Sequence, residues 1–144
     1  MADHTTVAEL IEGLRSGPPA VQAGCSRELG DVRLADEEAK VAVSELLGGL
    51  THRDKAVRTR SAVSLGWKAL EWSRGGAPDA VRALAAALDN PAPLMRTYAA
   101  WALGQIGAAA RDVVERVEGC ALHDEREEVR DAARHALARI SREP

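Results

Sequence analysis

One stretch of this chain occurs four times without gaps, and that repetition constrains the fold more than any other feature. Its clearest form is Met95-Arg96-Thr97-Tyr98-Ala99-Ala100-Trp101-Ala102-Leu103-Gly104. The other copies begin at Val21, Val57 and Val129. Each copy opens on an apolar residue (Val21, Val57, Met95, Val129). It carries a small residue four positions on (Cys25, Ser61, Ala99, Ala133) and a leucine four further (Leu29, Leu65, Leu103, Leu137). Steps of four place these on one helical face, and the small middle residue lets a neighbouring helix approach. Leu14, Leu50, Leu88 and Leu122 each lie seven residues before an opening residue and are expected to end a preceding, core-facing helix. Each unit therefore reads as helix, turn, helix. The opening residues sit 36, 38 and 34 apart, and a period of this size implies a solenoid.

Three of the four second helices start Val-Arg or Met-Arg, and their middles are rich in Ala and other small residues. Two read Leu-Gly with an apolar residue two later, Leu103-Gly104-Gln105-Ile106 and Leu29-Gly30-Asp31-Val32. On these residues the chain resembles the HEAT-like repeats of phycobilin lyases, over roughly residues 5–141. The resemblance implies an all-α fold: a right-handed α-solenoid of four HEAT-like helix pairs, eight helices in all. The single domain would span 1–144, with repeats near 5–34, 36–74, 78–108 and 111–141. A tetratricopeptide repeat has a similar period but wants an aromatic in its second helix. This chain has no Phe, and Trp101 sits at the wrong offset.

Hydrophobic residues make up 46% and charged residues 28%, a globular rather than disordered balance. The net charge of −3 gives no overall pull toward nucleic acid or anionic membrane, so neither is expected as a partner. No apolar run approaches the roughly 20 residues of a membrane span. Met-Ala-Asp-His-Thr-Thr lacks the pattern of a signal peptide, and a cytoplasmic location is the default. Cys25 and Cys120 fall in repeats one and four. Layers stacked at about 8–10 Å keep them too far apart for a disulfide, and both read as small core residues.

Local signals place the helix ends. Thr6-x-x-Glu9 is a capping box before Val7, Leu10, Ile11 and Leu14. Ser16-Gly17-Pro18-Pro19 turns into a helix from about Pro19 to Val32. Repeat two begins near Asp36, turns at Thr51-His52-Arg53-Asp54, and has a second helix that runs past Gly66 to the glycine pair at 75 and 76. There Lys68 stands where other copies have Val32, Ile106 and Ile140. Repeat three opens at Pro78, with Asn90 as cap and Pro91 at the first helical position. Repeat four opens at Asp112 with Val114, Val117 and Leu122, holds one extra residue so that its stripe slips, and has a second capping box in Asp124-x-x-Glu127.

No phosphate-binding glycine loop, nucleophile elbow or paired metal spacing occurs. His123-Asp124 reads as a solvated turn with a capping Asp, and Asp131 with His135 as a helix pair rather than a metal site. No enzyme activity, catalytic residue, metal or cofactor is expected.

The face turned away from the core is more informative. The sixth residue after each opening position points outward: Arg27, Val63, Trp101 and His135. In HEAT-like solenoids the second helices line the concave surface, so the resemblance puts this row along its middle, flanked by Thr59, Trp67, Leu70, Thr97 and Gln105. Val63, Trp67, Leu70 and Trp101 can form one apolar patch of the kind that marks binding sites. Superhelical twist can instead tuck them against a neighbour, and that is the expectation for Trp67, Leu70 and Trp72, with Trp101 exposed. The resemblance also implies that Arg58, Arg96 and Arg130 pair with an acid or a carbonyl in a neighbouring repeat's turn. The alternative for Arg27, Arg53, Arg58 and Arg60 is a local basic patch for an anion or nucleic acid.

The reading that follows is a non-enzymatic protein-interaction module, an adaptor or scaffold, monomeric or weakly self-associating. It would bind a protein through Trp101, Val63, Trp67, His135, Thr97, Gln105 and Arg27, and loss of the Trp101 ring would cost binding but little stability. Two alternatives stay open: a bilin-lyase-like or small-ligand-handling subunit, and a self-assembling structural subunit.

Overall fold

The structure, a computed structural model, describes residues 6–32, 36–75 and 78–141. The chain is an α-solenoid of helix pairs. The first helices are α1 (Val7–Ser16), α3 (Asp36–Gly49), α5 (Pro78–Ala87) and α7 (Val114–His123). The second helices are α2 (Pro19–Asp31), α4 (Lys55–Gly75), α6 (Pro93–Ile106) and α8 (Glu127–Ile140). A 3-10 helix, Gly107–Val113, lies between α6 and α7. Among the described residues there is no strand, and no helix is long and apolar enough to cross a membrane.

The two layers differ in closeness. The second helices pack tightly in the order α2, α4, α6, α8, while α1, α3 and α5 meet one another more loosely. The core lies between the layers. Leu10, Leu46, Leu50 and Leu84 reach it from the first helices, and Leu29, Leu65, Leu103 and Ile140 from the second. The repeated Leu and small residues thus face one interior, with Ala99 and Ala133 wholly buried where helices must come close.

Repeat four departs from the expected register. Leu122 is 71% exposed, while Ala121 is buried. The 3-10 helix occupies the place beside α5, so α7 begins only at Val114. From there Val117 and Ala121 make the buried i,i+4 stripe, and Leu122 is rotated about 100° off it. Val21 is also exposed, at 46%, although Val57 and Val129 in the same position are buried.

Several helix starts also differ in detail. The Thr6–Glu9 box forms as expected, with Thr6 N–H donating to Glu9 and Glu9 N–H to Thr6 Oγ1. Pro93 rather than Pro91 takes the first helical position of α6, and Asn90 Oδ1 accepts from the Ala92 amide two residues on. The Asp124–Glu127 box does not form. Arg126 is the N-cap of α8, and Asp124 Oδ1 accepts from the Arg126 amide at 2.9 Å. In each case the Asx side chain closes its own tight turn before the helix begins. At the end of α6, Gly107 has φ 71°, a conformation that glycine adopts without a Cβ penalty.

The seam between α2 and α4 is polar. Ser26, Ser61, Ser64 and Lys68 are buried there. Ser26 and Ser61 hydroxyls lie 3.2 Å apart, Ser64 donates to the Ser26 carbonyl, and the Lys68 ammonium donates to the Val32 carbonyl at the end of α2. Buried polar groups of this kind are tolerated because they are hydrogen-bonded. Lys68 therefore fills a core position that Ile106 and Ile140 fill in later repeats.

Candidate interaction face

The layer of second helices is set by a repeated close approach of one helix to the next. A Cβ added at Gly30 would lie 3.2 Å from the Ser64 Cα, and one at Gly104 would lie 2.9 Å from the Ala136 Cα. Both glycines hold the same repeat position, and Ser64 and Ala136 hold matching positions in the following copy. At the middle seam the equivalent glycine, Gly66, meets something different. A Cβ there would lie 2.6 Å from the Trp101 ring. The indole thus lies over a bare stretch of α4, and α4 and α6 pack less intimately than α2 with α4 or α6 with α8.

Tyr98 flanks this contact, edge-on to Trp101 with ring centroids 6.1 Å apart and an interplanar angle of 81°, a favourable aromatic arrangement. Trp101 remains 38% exposed. Toward the N-terminal ends of α4 and α6 the seam opens into a cleft of about 300 Å³ lined by Leu50, Arg58, Thr59, Ala62, Leu94 and Tyr98. Leu94 is itself 43% exposed. Sequence reasoning missed Leu94, Tyr98 and Ala62 as wall residues, because the outward row was counted on one helix at a time and a cleft belongs to two.

The structure sorts the outward row. Arg27 and His135 are exposed. Thr97 is half-buried and donates its hydroxyl to the Pro93 carbonyl at 2.9 Å. Gln105 is half-buried and accepts from Arg139, whose Nε also donates to the Gly104 carbonyl. The side chains of Val63, Trp67, Leu70 and Trp72 lie outside the described residues. Trp101 packs on Gly66 and Tyr98. Asp131 pairs with Arg134 at 2.6 Å. Among the described residues no three His, Cys, Asp or Glu converge as a metal would require.

The opening arginines act within their own turns. Arg58 Nη1 donates to the carbonyls of His52 and Arg53 at 2.8 and 2.9 Å, and Arg96 Nη1 to those of Asn90 and Pro91 at 2.8 and 3.0 Å. Arg130 Nη1 donates to the Asp124 carbonyl at 2.6 Å. In repeat one Gln22 takes the position and donates to the Leu14 carbonyl. Arg96 alone of these also reaches an acid in the next repeat among the described contacts, Asp124. The pair is nearly shut off from water, with side chains 10% and 8% exposed, although His123, Glu125 and Arg126 of the same turn are exposed. Burial pushes the Asp124 carboxyl up, but the Arg96 hydrogen bond, the Arg126 amide and the charges of Arg96 and Arg130 outweigh it, and the net shift is downward. Burial raises the thiols of Cys25 and Cys120, helped by nearby acids. Both cysteines are free and half-buried, which makes their thiolates scarce at neutral pH.

Helix pairs joined by short turns, with a closely packed layer of second helices and an arginine anchoring each later turn, define an α-solenoid repeat protein. A model of HEAT repeats matches residues 67–138, which is 72 of the 144 residues, and the chain belongs to the HEAT-repeat family. None of the curated proteins compared matches it. Among solved structures it is similar to an engineered protein, at 24% identity and a TM-score of 0.55 over 93% of this chain. The chain spans 62% of that protein's length, and the likeness concerns the fold alone.

Proposed function

We propose that this protein is a non-enzymatic interaction module, an adaptor or scaffold that binds a partner protein along the inner face of its second helices. HEAT repeats generally mediate protein–protein interaction. The observation that carries the reading is a partly exposed Trp101 whose ring packs with Tyr98, itself a lining residue of the open cleft between α4 and α6. Tryptophan beside a pocket is a favoured binding anchor. Trp101, Val63 and Trp67 supply apolar contact, and Arg27, Thr97, Gln105 and His135 supply the polar surround.

The test is affinity capture from a lysate with wild type beside an Arg27→Glu/His135→Glu variant and a Trp101→Ala variant, each first checked by thermal melting. Both charged substitutions fall on exposed sites and leave folding intact. A protein retained by wild type and lost by both variants supports the inner face. Capture unaffected by either removes it.

A further inference from the structure

We infer that the cleft between α4 and α6 takes an acidic peptide segment carrying an apolar side chain, presented by a partner protein. This rests on the interaction-module reading and specifies the partner's chemistry at its central site. The first observation is the cleft's lining. Buried Leu50, half-buried Ala62 and Tyr98 and exposed Leu94 give it an apolar lining, beside Arg58 and Thr59. The space of about 300 Å³ is at the lower end of small-ligand pockets and admits one or two apolar side chains rather than an extended cofactor.

The second observation is the charge around the mouth. Arg53, Lys55 and Arg60 are all exposed. Lys55 lies one helical turn before the lining residue Thr59, and Arg60 follows it. Among the described residues none of these three cations is held in an ion pair. Arg58, in the wall, spends one guanidinium nitrogen on backbone carbonyls. The acids nearby are engaged: Asp54 accepts from the Ala56 and Val57 amides, and Asp89 pairs with Arg116. Neither α4 nor α6 carries an acidic residue in its first turn. A local excess of positive charge on a chain of net charge −3 selects partners by complementarity.

Nucleic acid would use the same cations, but the lining disfavours it. Bases stack on open aromatic faces, whereas the one aromatic residue of the lining, Tyr98, is half-buried and already packed with Trp101. An apolar lining within a basic rim suits a peptide whose carboxylates flank a leucine-like anchor.

The experiment is selection of a random dodecapeptide library on the wild-type protein, followed by anisotropy titration of the enriched peptides, labelled with fluorescein. The variants are Lys55→Glu/Arg60→Glu and Leu94→Asp, all at exposed positions and each checked by circular dichroism. The expected result is enrichment of peptides with acids on either side of an apolar residue. Both variants should bind them about tenfold more weakly or worse, and added salt should weaken wild-type binding. Enrichment without an acidic excess, binding indifferent to both variants, or no enrichment overturns the inference. So does labelled oligo(dT) that binds through Lys55 and Arg60 and ignores Leu94→Asp, or sedimentation showing a second copy of the chain in the cleft. If the peptides fail while partner capture still depends on Arg27 and His135, the inner-face reading stands and only this inference falls.

Discussion

Arg96 holds Asp124 with two nitrogens, Nε at 2.9 Å and Nη2 at 3.2 Å, while its remaining nitrogen grips the carbonyls of Asn90 and Pro91. One side chain thereby ties the turn of repeat three to the turn of repeat four. Removing one partner of such a pair strands a charge away from water. Asp124→Ala is expected to cost about 3 kcal/mol or more in urea unfolding. The comparison is Asp89→Ala, which breaks the exposed pair with Arg116 and is expected to cost at most about 1 kcal/mol. Equal losses would show that the Arg96 clamp adds nothing special.

The same clamp gives a pH signature. The folded Asp124 carboxyl titrates below its ordinary value, so its contribution is fully present above the unfolded pKa, near about 3.9. It is lost as pH falls through the lower folded value. The stability gap between wild type and Asp124→Asn should be constant from neutral pH to about 5 and close below about 4. A gap that closes near neutrality instead would assign the effect to a histidine.

Glycine substitutions separate contact from propensity. Nothing lies within 4 Å of a Cβ built at Gly24 or Gly119, both inside helices. Replacement by Ala there should stabilise by roughly 0.5–1 kcal/mol. Gly104→Ala meets the α8 backbone at Ala136 and should instead destabilise, since backbone cannot swing aside as a side chain can. Thermal melts of the three variants test this, and a raised midpoint for Gly104→Ala would contradict the close approach.

Two leucines at matching repeat positions should behave oppositely. Leu88 is buried, and Leu122 is 71% exposed. Leu88→Ala should cost about 2–5 kcal/mol, while Leu122→Ala should stay within about 0.5 kcal/mol of wild type. Similar losses at the two sites would mean that α7 sits one residue out of the register described.

The fold was largely legible because its signals are local and repeated: the four-residue steps to Leu29, Leu65, Leu103 and Leu137, and the turn residues at Asp54 and Asn90. The slip of the stripe at Leu122 was legible from the extra residue in repeat four, but its cause, the 3-10 helix over Gly107–Val113, was not. The Arg96–Asp124 clamp spans two repeats, and nothing in the spacing distinguishes it from the solvated Asp-capped turn that it resembles. The candidate site was legible in part. Counting around one helix finds Trp101, but the cleft depends on how Trp101 meets Gly66 across two helices. No periodicity encodes that distance.

A solenoid transmits load from neighbour to neighbour, so a stretch applied along it falls hardest on the least intimate seam. Here that seam is α4–α6, where an indole ring replaces the backbone-to-backbone contact of the flanking junctions. Bending the array therefore changes the width of the Leu94–Ala62 opening before it disturbs the serine-bonded α2–α4 junction or the Gly104–Ala136 contact. The Trp101–Gly66 contact is the fulcrum of that bending.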